Sequence, residues 1–183
     1  MSTATTARST WSIDPVHSTV EFAVSHMGIT TFRGRFRTVA GTLNIDEESP
    51  ANSSVIATIE AASIDVPGDR FAGHMKGDDF LNVEHYPTLT FRSNEVERVD
   101  DTHWRVAGDL TIRDATRPVT FDTEYLGQAK HPFSGKTSAG FRAEAEIDRN
   151  DFGISWNALL ESGAKYVGER VRIILDIEAV RQD

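Results

Sequence analysis

The chain contains no cysteine among its 183 residues. Disulfide bonds, thiolate metal sites and a cysteine nucleophile are therefore excluded, and a reducing compartment is favoured. The chain also lacks an apolar run long enough to span a membrane. Residues 1–10 carry no apolar stretch of the length that a secretory signal requires. We therefore expect a disordered N-terminal tail at 1–10 and a cytoplasmic protein.

Positive charge is scarce, with 19 Lys and Arg against 28 Asp and Glu and a formal net charge of −9. Because such a chain repels a phosphate backbone on average, nucleic acid is excluded as an expected partner. Arg33, Arg35 and Arg37 alternate along the sequence, which is typical of the solvent-facing side of a strand. The length suits a single domain, placed here at residues 11–183.

The segment from Trp11 to Leu43 shows the period of two that is typical of strands. Val20, Phe22, Val24 and His26 share one face of an extended chain, and a glycine turn leads to a returning strand. Small polar residues, Glu21 and Ala23 occupy the opposite face. This pattern predicts a half-buried antiparallel ribbon.

Strand-like alternation continues through most of the chain. Further strands are predicted at 42–46, 55–61, 88–91, 102–112, 119–125, 139–147 and 167–180, with a hairpin turn at 114–118, a loop at 127–138 and an irregular segment at 149–166. About eight antiparallel strands, some of ten residues or more, favour an all-β closed barrel over a sandwich. A barrel of this size is either filled by its own side chains or holds one small ligand, and residue sizes alone leave both open.

One segment breaks this alternation. Between residues 68 and 84 the spacing of Phe71 and Met75 predicts a short helix, interrupted near Gly77.

Few residues suggest chemistry directly. Asp151-Phe152-Gly153 and Gly135-Lys136-Thr137 resemble kinase and P-loop fragments but lack the companion motifs. The six histidines are scattered, so no metal site, no cofactor and no catalytic residue is predicted. His17 and His26 flank an otherwise apolar face, so we expect them to meet the polar end of a ligand.

Six segments together resemble the YceI-like family of lipocalin-like, polyisoprenoid-binding proteins. In order they are I-D-P-V-H-S-T-V-E-F, S-H-M-G-I-T-T-F-R-G-R-F, D-R-F-A-G-H-M-K-G-D-D-F-L-N-V, Y-P-T-L-T-F-R-S, G-D-L-T-I-R-D-A-T-R-P-V and D-R-N-D-F-G. The resemblance runs from about Trp11 to Ala179. The helical segment departs from the family's usual R-D-x-H-L, so the resemblance gives no head-group role to Arg70 or His74.

The resemblance implies a lipocalin-like barrel, capped at one end by the helix, whose apolar tunnel holds a polyisoprenoid or fatty-acyl lipid. On this basis we expect binding, sequestration or transport of such a lipid rather than catalysis. The expected tunnel residues are Phe22, Val24, Phe32, Phe36, Ala57, Phe71, Met75, Phe80, Phe91, Trp104, Phe141, Ala143, Ile173 and Leu175.

Two alternatives belong to other function classes. One is a small hydrolase or isomerase that uses the barrel as its substrate pocket. The other is a homodimer whose outer surface binds a protein partner near an exposed Trp156.

Overall fold

A computed structural model describes residues 8–182. Its strands and its one α-helix, in chain order, are β1 (Arg8–Ile13), β2 (Thr19–His26), β3 (Thr30–Phe36), β4 (Val39–Asp46), β5 (Ser54–Glu60), β6 (Ile64–Asp65), α1 (Asp69–Lys76), β7 (Thr88–Arg98), β8 (His103–Ile112), β9 (Ala115–Lys130), β10 (Thr137–Asp148) and β11 (Val167–Arg181). Short 3-10 turns lie at Pro50–Asn52, Ala61–Ser63 and Arg149–Phe152. No helix of this described part of the chain is long and apolar enough to cross a bilayer.

The strands form one antiparallel sheet that closes on itself. Its order is β1-β4-β5-β7-β8-β9-β10-β11, and β1 also pairs with β11, which completes a ring of eight strands. Strand β11 pairs with β1 near its C-terminus and with β2 along its N-terminal part. The β2–β3–β6 ribbon therefore lengthens the wall at the end where β11 begins. The predicted all-β closed barrel is confirmed.

Alternation of small or apolar residues with charged ones explains why β10 lies in this wall. Ala143, Ala145 and Ile147 are buried, whereas the intervening glutamates are exposed on the outer face. Glu144 and Glu146 lie 3.4 and 3.2 Å from Arg172 and Arg170 on the neighbouring strand. Exposed pairs of this kind contribute little, about 0.2–1 kcal/mol, so burial of the inner face sets the register.

Helix α1 covers one end of the barrel. Asp69 lies in its first turn, His74 and Lys76 lie in its last, and Gly77 follows it. Its charges thus suit the helix dipole. Eight residues are too few for a stable isolated helix, so α1 depends on packing of Ala72 and Met75 against the buried cluster beneath it. The predicted short helix is confirmed, although it ends at Lys76 and is followed by a bend at 77 and turns at 78–81 and 83–85.

The predicted boundaries of β9 and of the N-terminal tail were wrong. Strand β9 starts at Ala115, and the turn before it is residues 113–114, where Arg113 has a φ of 57°. Residues 116–118 are all exposed, as are 128–130, so the alternation that marks a strand disappears at both ends of β9. The loop predicted at 127–138 is reduced to 131–136. Residues 8–10 of the predicted tail belong to β1, and the rest of it lies outside the described residues.

Gly108 lies where β7 and β8 approach most closely. The register of this pair shifts between Ser93 and Glu95, opposite Gly108. A Cβ atom on Gly108 would lie 2.3 Å from the carbonyl oxygen of Arg92 and 2.7 Å from the Cα atom of Ser93. Because both are backbone atoms, a side chain here forces the strands apart.

We therefore expect Gly108→Ala to lower the free energy of unfolding by about 1–3 kcal/mol, the usual cost of overpacking. Urea denaturation measures this change. Gly73→Ala is the matched control, because nothing lies within 4 Å of its Cβ position in α1. The control should be neutral or stabilising by up to about 1 kcal/mol. Equal midpoints for the two variants would contradict the close approach.

Arg149 holds the irregular segment between β10 and β11 in place. It is 4% exposed, and its Nε donates to the carbonyl of Gly168 at 2.8 Å. Its Nη1 donates to the carbonyls of Ile154 and Trp156 at 2.7 and 2.9 Å, and its Nη2 donates to that of Val167 at 3.3 Å. One side chain thus donates to four backbone carbonyls, two in the irregular segment and two at the start of β11.

Arg149→Leu should lower the free energy of unfolding by about 3 kcal/mol or more, because several buried acceptors lose their donors together. Amide hydrogen exchange should rise across residues 154–168 before the rest of the barrel opens. Arg142→Leu, on the exposed face of β10, is the control and should change stability by no more than about 0.5 kcal/mol. Unchanged exchange at 154–168 would show that Arg149 does not hold this segment.

Candidate ligand-binding cavity

The inner faces of the barrel strands enclose a cavity of about 810 Å³. This volume falls within the roughly 300–1,000 Å³ of small-molecule sites. Apolar side chains make most of its wall, and small ones, Ala57 and Ala143, lie on opposite sides of the ring. On β10 the lining runs from Phe141 to Ile147, which is about 20 Å along a strand. The interior is therefore elongated and is not filled by its own side chains.

The apolar residues predicted for a tunnel all lie on this wall. They are Phe22, Val24, Phe32, Phe36, Ala57, Phe71, Met75, Phe80, Phe91, Trp104, Phe141, Ala143, Ile173 and Leu175. Their contact with a ligand stays a prediction. Those on strands occupy inward sites, as the period of two predicts, whereas Phe71 and Met75 lie on α1 and Phe80 lies in the turn after it.

Aromatic rings pack against one another along the wall. The ring of Phe22 lies 6.4 Å from that of Phe32 and 6.0 Å from that of Phe36. Phe91 meets Phe121 edge to face at 5.1 Å across the sheet. Each such pair stabilises the folded state by about 0.5–1.5 kcal/mol beyond the burial of its surface, so the wall is stabilised by contacts among its own rings.

At the helix end, histidine and tryptophan rings join this wall. His74 lies edge-on to Phe80 and to Trp156, with 4.9 Å between centroids in both pairs. His26 lies edge-on to Tyr166 at 4.8 Å. Phe71 lines the cavity yet is 45% exposed, so the cavity reaches the surface beside it.

Trp156 was predicted to be exposed, and this prediction was wrong. Trp156 is half-buried and lines the cavity between Phe80 and Tyr166. Its backbone carbonyl accepts a hydrogen bond from Arg149 at 2.9 Å. Since the surrounding segment has no regular period, the sequence pattern carried no signal of this orientation.

Arg149 brings a buried positive charge to the same end of the cavity. Burial is the largest influence on its guanidinium and lowers its pKa, whereas the charges of Glu169 and Asp148 raise it. An arginine stays protonated under such conditions. The helix end therefore combines Arg149, His26 and His74 with an otherwise apolar wall.

Carboxylates line the opposite end, near Trp104. Asp46 is 1% exposed, and its carboxylate accepts hydrogen bonds from the backbone N–H of Ser49 at 2.8 Å and from Arg8 at 3.2 Å. The Ser49 bond is the main cause that lowers the pKa of Asp46. Glu47 and Asp101 line this end as well and are exposed to solvent.

His17 was predicted to meet the polar end of a ligand, but the structure places it away from the cavity. Its side chain is 60% exposed, and its Nδ1 lies 2.9 Å from the carboxylate of Asp14. That hydrogen bond raises the pKa of His17 and lowers that of Asp14. His17 precedes β2 by two residues, so the alternation of the strand does not extend to it.

His17, Asp14 and Glu178 also offer ligand atoms within 4.8 Å of one another. They form the group of described residues that could hold a cation. Exposed acidic groups commonly lie this close without one.

Sequence reasoning missed Arg149, Tyr166 and the carboxylates of the far end. Arg149, Tyr166, Glu47 and Asp101 lie in turns or irregular segments, where the period of two gives no direction, and Asp46 is the last residue of β4. For Arg149, the only sequence signal is its place in D-R-N-D-F-G.

Known proteins resemble the chain over nearly its whole length. A family model described as the YceI-like domain matches residues 11–179. Protein YceI of Escherichia coli O6:H1 is 34% identical over 166 residues, which make up 91% of this chain and 83% of that protein.

Solved structures share the fold. Burkholderia cenocepacia BcnA has a TM-score of 0.79 at 20% identity and covers 91% of this chain and 98% of its own. A Campylobacter jejuni YceI protein has a TM-score of 0.72 at 25% identity, and the match covers 87% of this chain and 90% of that protein. A domain from Saccharophagus degradans, described as polyisoprenoid binding, has a TM-score of 0.69 at 14% identity. The match covers 94% of this chain and 98% of that domain. The family model and the E. coli relative together show that the chain belongs to the YceI-like family.

Proposed function

We propose that this protein binds a single long-chain amphiphile inside its barrel and carries or sequesters it. The observation that supports the proposal is the elongated apolar cavity of about 810 Å³. A polar substrate would lose its hydration there without gaining hydrogen bonds, at a cost of about 2–7 kcal/mol per group. An alkyl or prenyl chain instead gains from leaving water.

The size of this gain is sufficient for useful affinity. Each buried methylene contributes up to about 0.8 kcal/mol, so ten of them contribute roughly 8 kcal/mol before ordering costs. That figure corresponds to a Kd of about 1 μM. One methylene more or less changes binding by only roughly 1–3 kcal/mol, so several chain types should bind.

Polyisoprenoid and fatty-acyl chains both fit this chemistry. The Saccharophagus degradans neighbour is described as polyisoprenoid binding, but at 14% identity its likeness concerns the fold. The cavity therefore supports the class of ligand, and extraction of the bound lipid has to identify the member. A cytoplasmic location and a homodimer stay predictions.

A hydrolase or isomerase gains no support from the cavity. Among the described residues, no hydrogen bond joins His26 or His74 to a serine or threonine hydroxyl; the ring of His74 lies 3.0 Å from the carboxylate of Asp79. A histidine without a positioned nucleophile or substrate proton does not define a reaction.

Native mass spectrometry of the protein purified from its own host tests the proposal. We expect a species heavier than the chain by the mass of one lipid, which organic extraction removes. The extracted protein should then take up one added palmitic acid. A chain that carries no lipid and takes none up would overturn the proposal.

Ala143→Trp should block this uptake while leaving the barrel folded. Ala143 is 8% exposed and faces the cavity, so an indole there occupies the space of the ligand. Ala40→Trp is the matched control, since Ala40 is exposed on β4. We expect at least a tenfold loss of affinity for the first variant and none for the second, with similar thermal midpoints. Equal affinity in both would place the ligand outside the barrel.

A further inference from the structure

The ionisable side chains that line the cavity are sorted by charge between its two ends. Arg149, His26 and His74 lie at the helix end, and Asp46, Glu47 and Asp101 lie at the end near Trp104. Glu21 also borders the cavity, but it is exposed and occupies an outward position of β2 opposite Arg35.

The basic groups form one continuous cluster. Arg149 donates to the carbonyl of Val167, which is the partner of His26 in the β11–β2 register. Arg149 also donates to the carbonyl of Trp156, whose ring contacts that of His74. Ring contacts complete the link, because the ring of Tyr166 lies 4.8 Å from that of His26 and 6.3 Å from that of Trp156.

Arg149 keeps a net positive charge in this cluster. Its guanidinium donates hydrogen bonds to four neutral carbonyls and has five N–H groups in all. No ion pair joins its side chain to a carboxylate within residues 8–182. The nearby carboxylates have other partners: Glu169 pairs with Lys165, Asp148 accepts from Asn150 and Asp79 lies beside His74.

The far end has the opposite character. The carboxylate of Asp101 pairs with Arg98 at the turn between β7 and β8, and its side chain is 94% exposed. Glu47 is exposed beside the buried Asp46. Asp46 pairs with Arg8 and Asp101 with Arg98, whereas no ion pair joins Glu47 to a cation within the described residues. This end therefore keeps one negative charge in excess, which repels a negative group on a ligand, whereas the helix end attracts it.

We propose that the bound amphiphile has an anionic headgroup and lies with that headgroup at the Arg149 cluster and its chain tip near Trp104. This orientation rests on the proposed function, because it requires a chain inside the barrel. It names the ligand class more closely: a carboxylate- or phosphate-headed lipid, in preference to an alkyl ammonium. An anion can accept hydrogen bonds from the guanidinium and from the histidine rings.

Two tryptophans, one at each end of the cavity, allow a direct test. Trp156→Phe leaves Trp104 as the emitting side chain of the wall, and Trp104→Phe leaves Trp156. Trp11, the third tryptophan, is fully buried outside the cavity lining and gives a constant background. Bromine quenches an indole only on close approach.

Palmitic acid brominated next to the carboxyl should quench Trp156 several-fold more than Trp104. Palmitic acid brominated at the terminal carbon should show the reverse preference. The opposite pattern, or equal quenching of both tryptophans by both acids, would overturn the orientation while leaving binding in place. Absence of quenching together with absence of uptake in native mass spectrometry would instead overturn the proposed function, and the orientation with it.

Removing the exposed carboxylate charges at the far end provides a second test that should leave the fold intact. Glu47→Gln combined with Asp101→Asn should raise the share of reversed ligand, which appears as at least a twofold increase in Trp104 quenching by the acid brominated next to its carboxyl. Asp122→Asn, exposed on the outer wall beside Arg105, is the matched control and should leave quenching unchanged.

Hexadecylamine should bind the parent protein at least tenfold more weakly than palmitic acid, and equal affinity would contradict the anionic preference.

Discussion

The pairing of β1 with both β4 and β11 closes the barrel and determines its shape. It joins the two ends of an eight-stranded sheet, so no strand of the ring keeps an unpaired edge. Trp11 lies at this seam, fully buried, and its Nε1 donates to Ser9 at 2.7 Å. A closed ring of this size fixes the distance across the interior, whatever side chains point into it.

Because the ring of strands is closed, the barrel keeps a hollow interior. Strands β7 to β11 are ten to sixteen residues long, so the barrel extends beyond its main buried cluster, which contains Phe152 and Ile154 at the helix end. Two smaller buried clusters contain Trp11 and Ile13. Alanines in the middle leave space that rings above and below do not fill. The helical cap and the segment held by Arg149 then give the two ends different chemistry. The proposed ligand orientation depends on that difference as well as on the apolar wall.

The wall could be predicted from the sequence because each strand repeats the same alternation. The inward positions of Phe22, Phe141 and Ile173 follow from the period of two once the barrel is closed. Residue sizes left open whether the interior is filled, because that depends on how the strands are arranged around the ring. The charged ends were missed for a different reason: Arg149 and Asp101 lie in turns, where direction depends on tertiary hydrogen bonds. His17 was misplaced because it precedes the strand whose pattern was extended to it.

A crystal structure of the protein purified from its own host would reveal whether a single apolar chain occupies the length of this barrel. We expect one continuous stretch of electron density within the cavity, from the neighbourhood of Trp156 to that of Trp104, with the bulkier end beside Arg149. Density for ordered water alone, or inner side chains collapsed into the space, would show that the barrel holds no such chain.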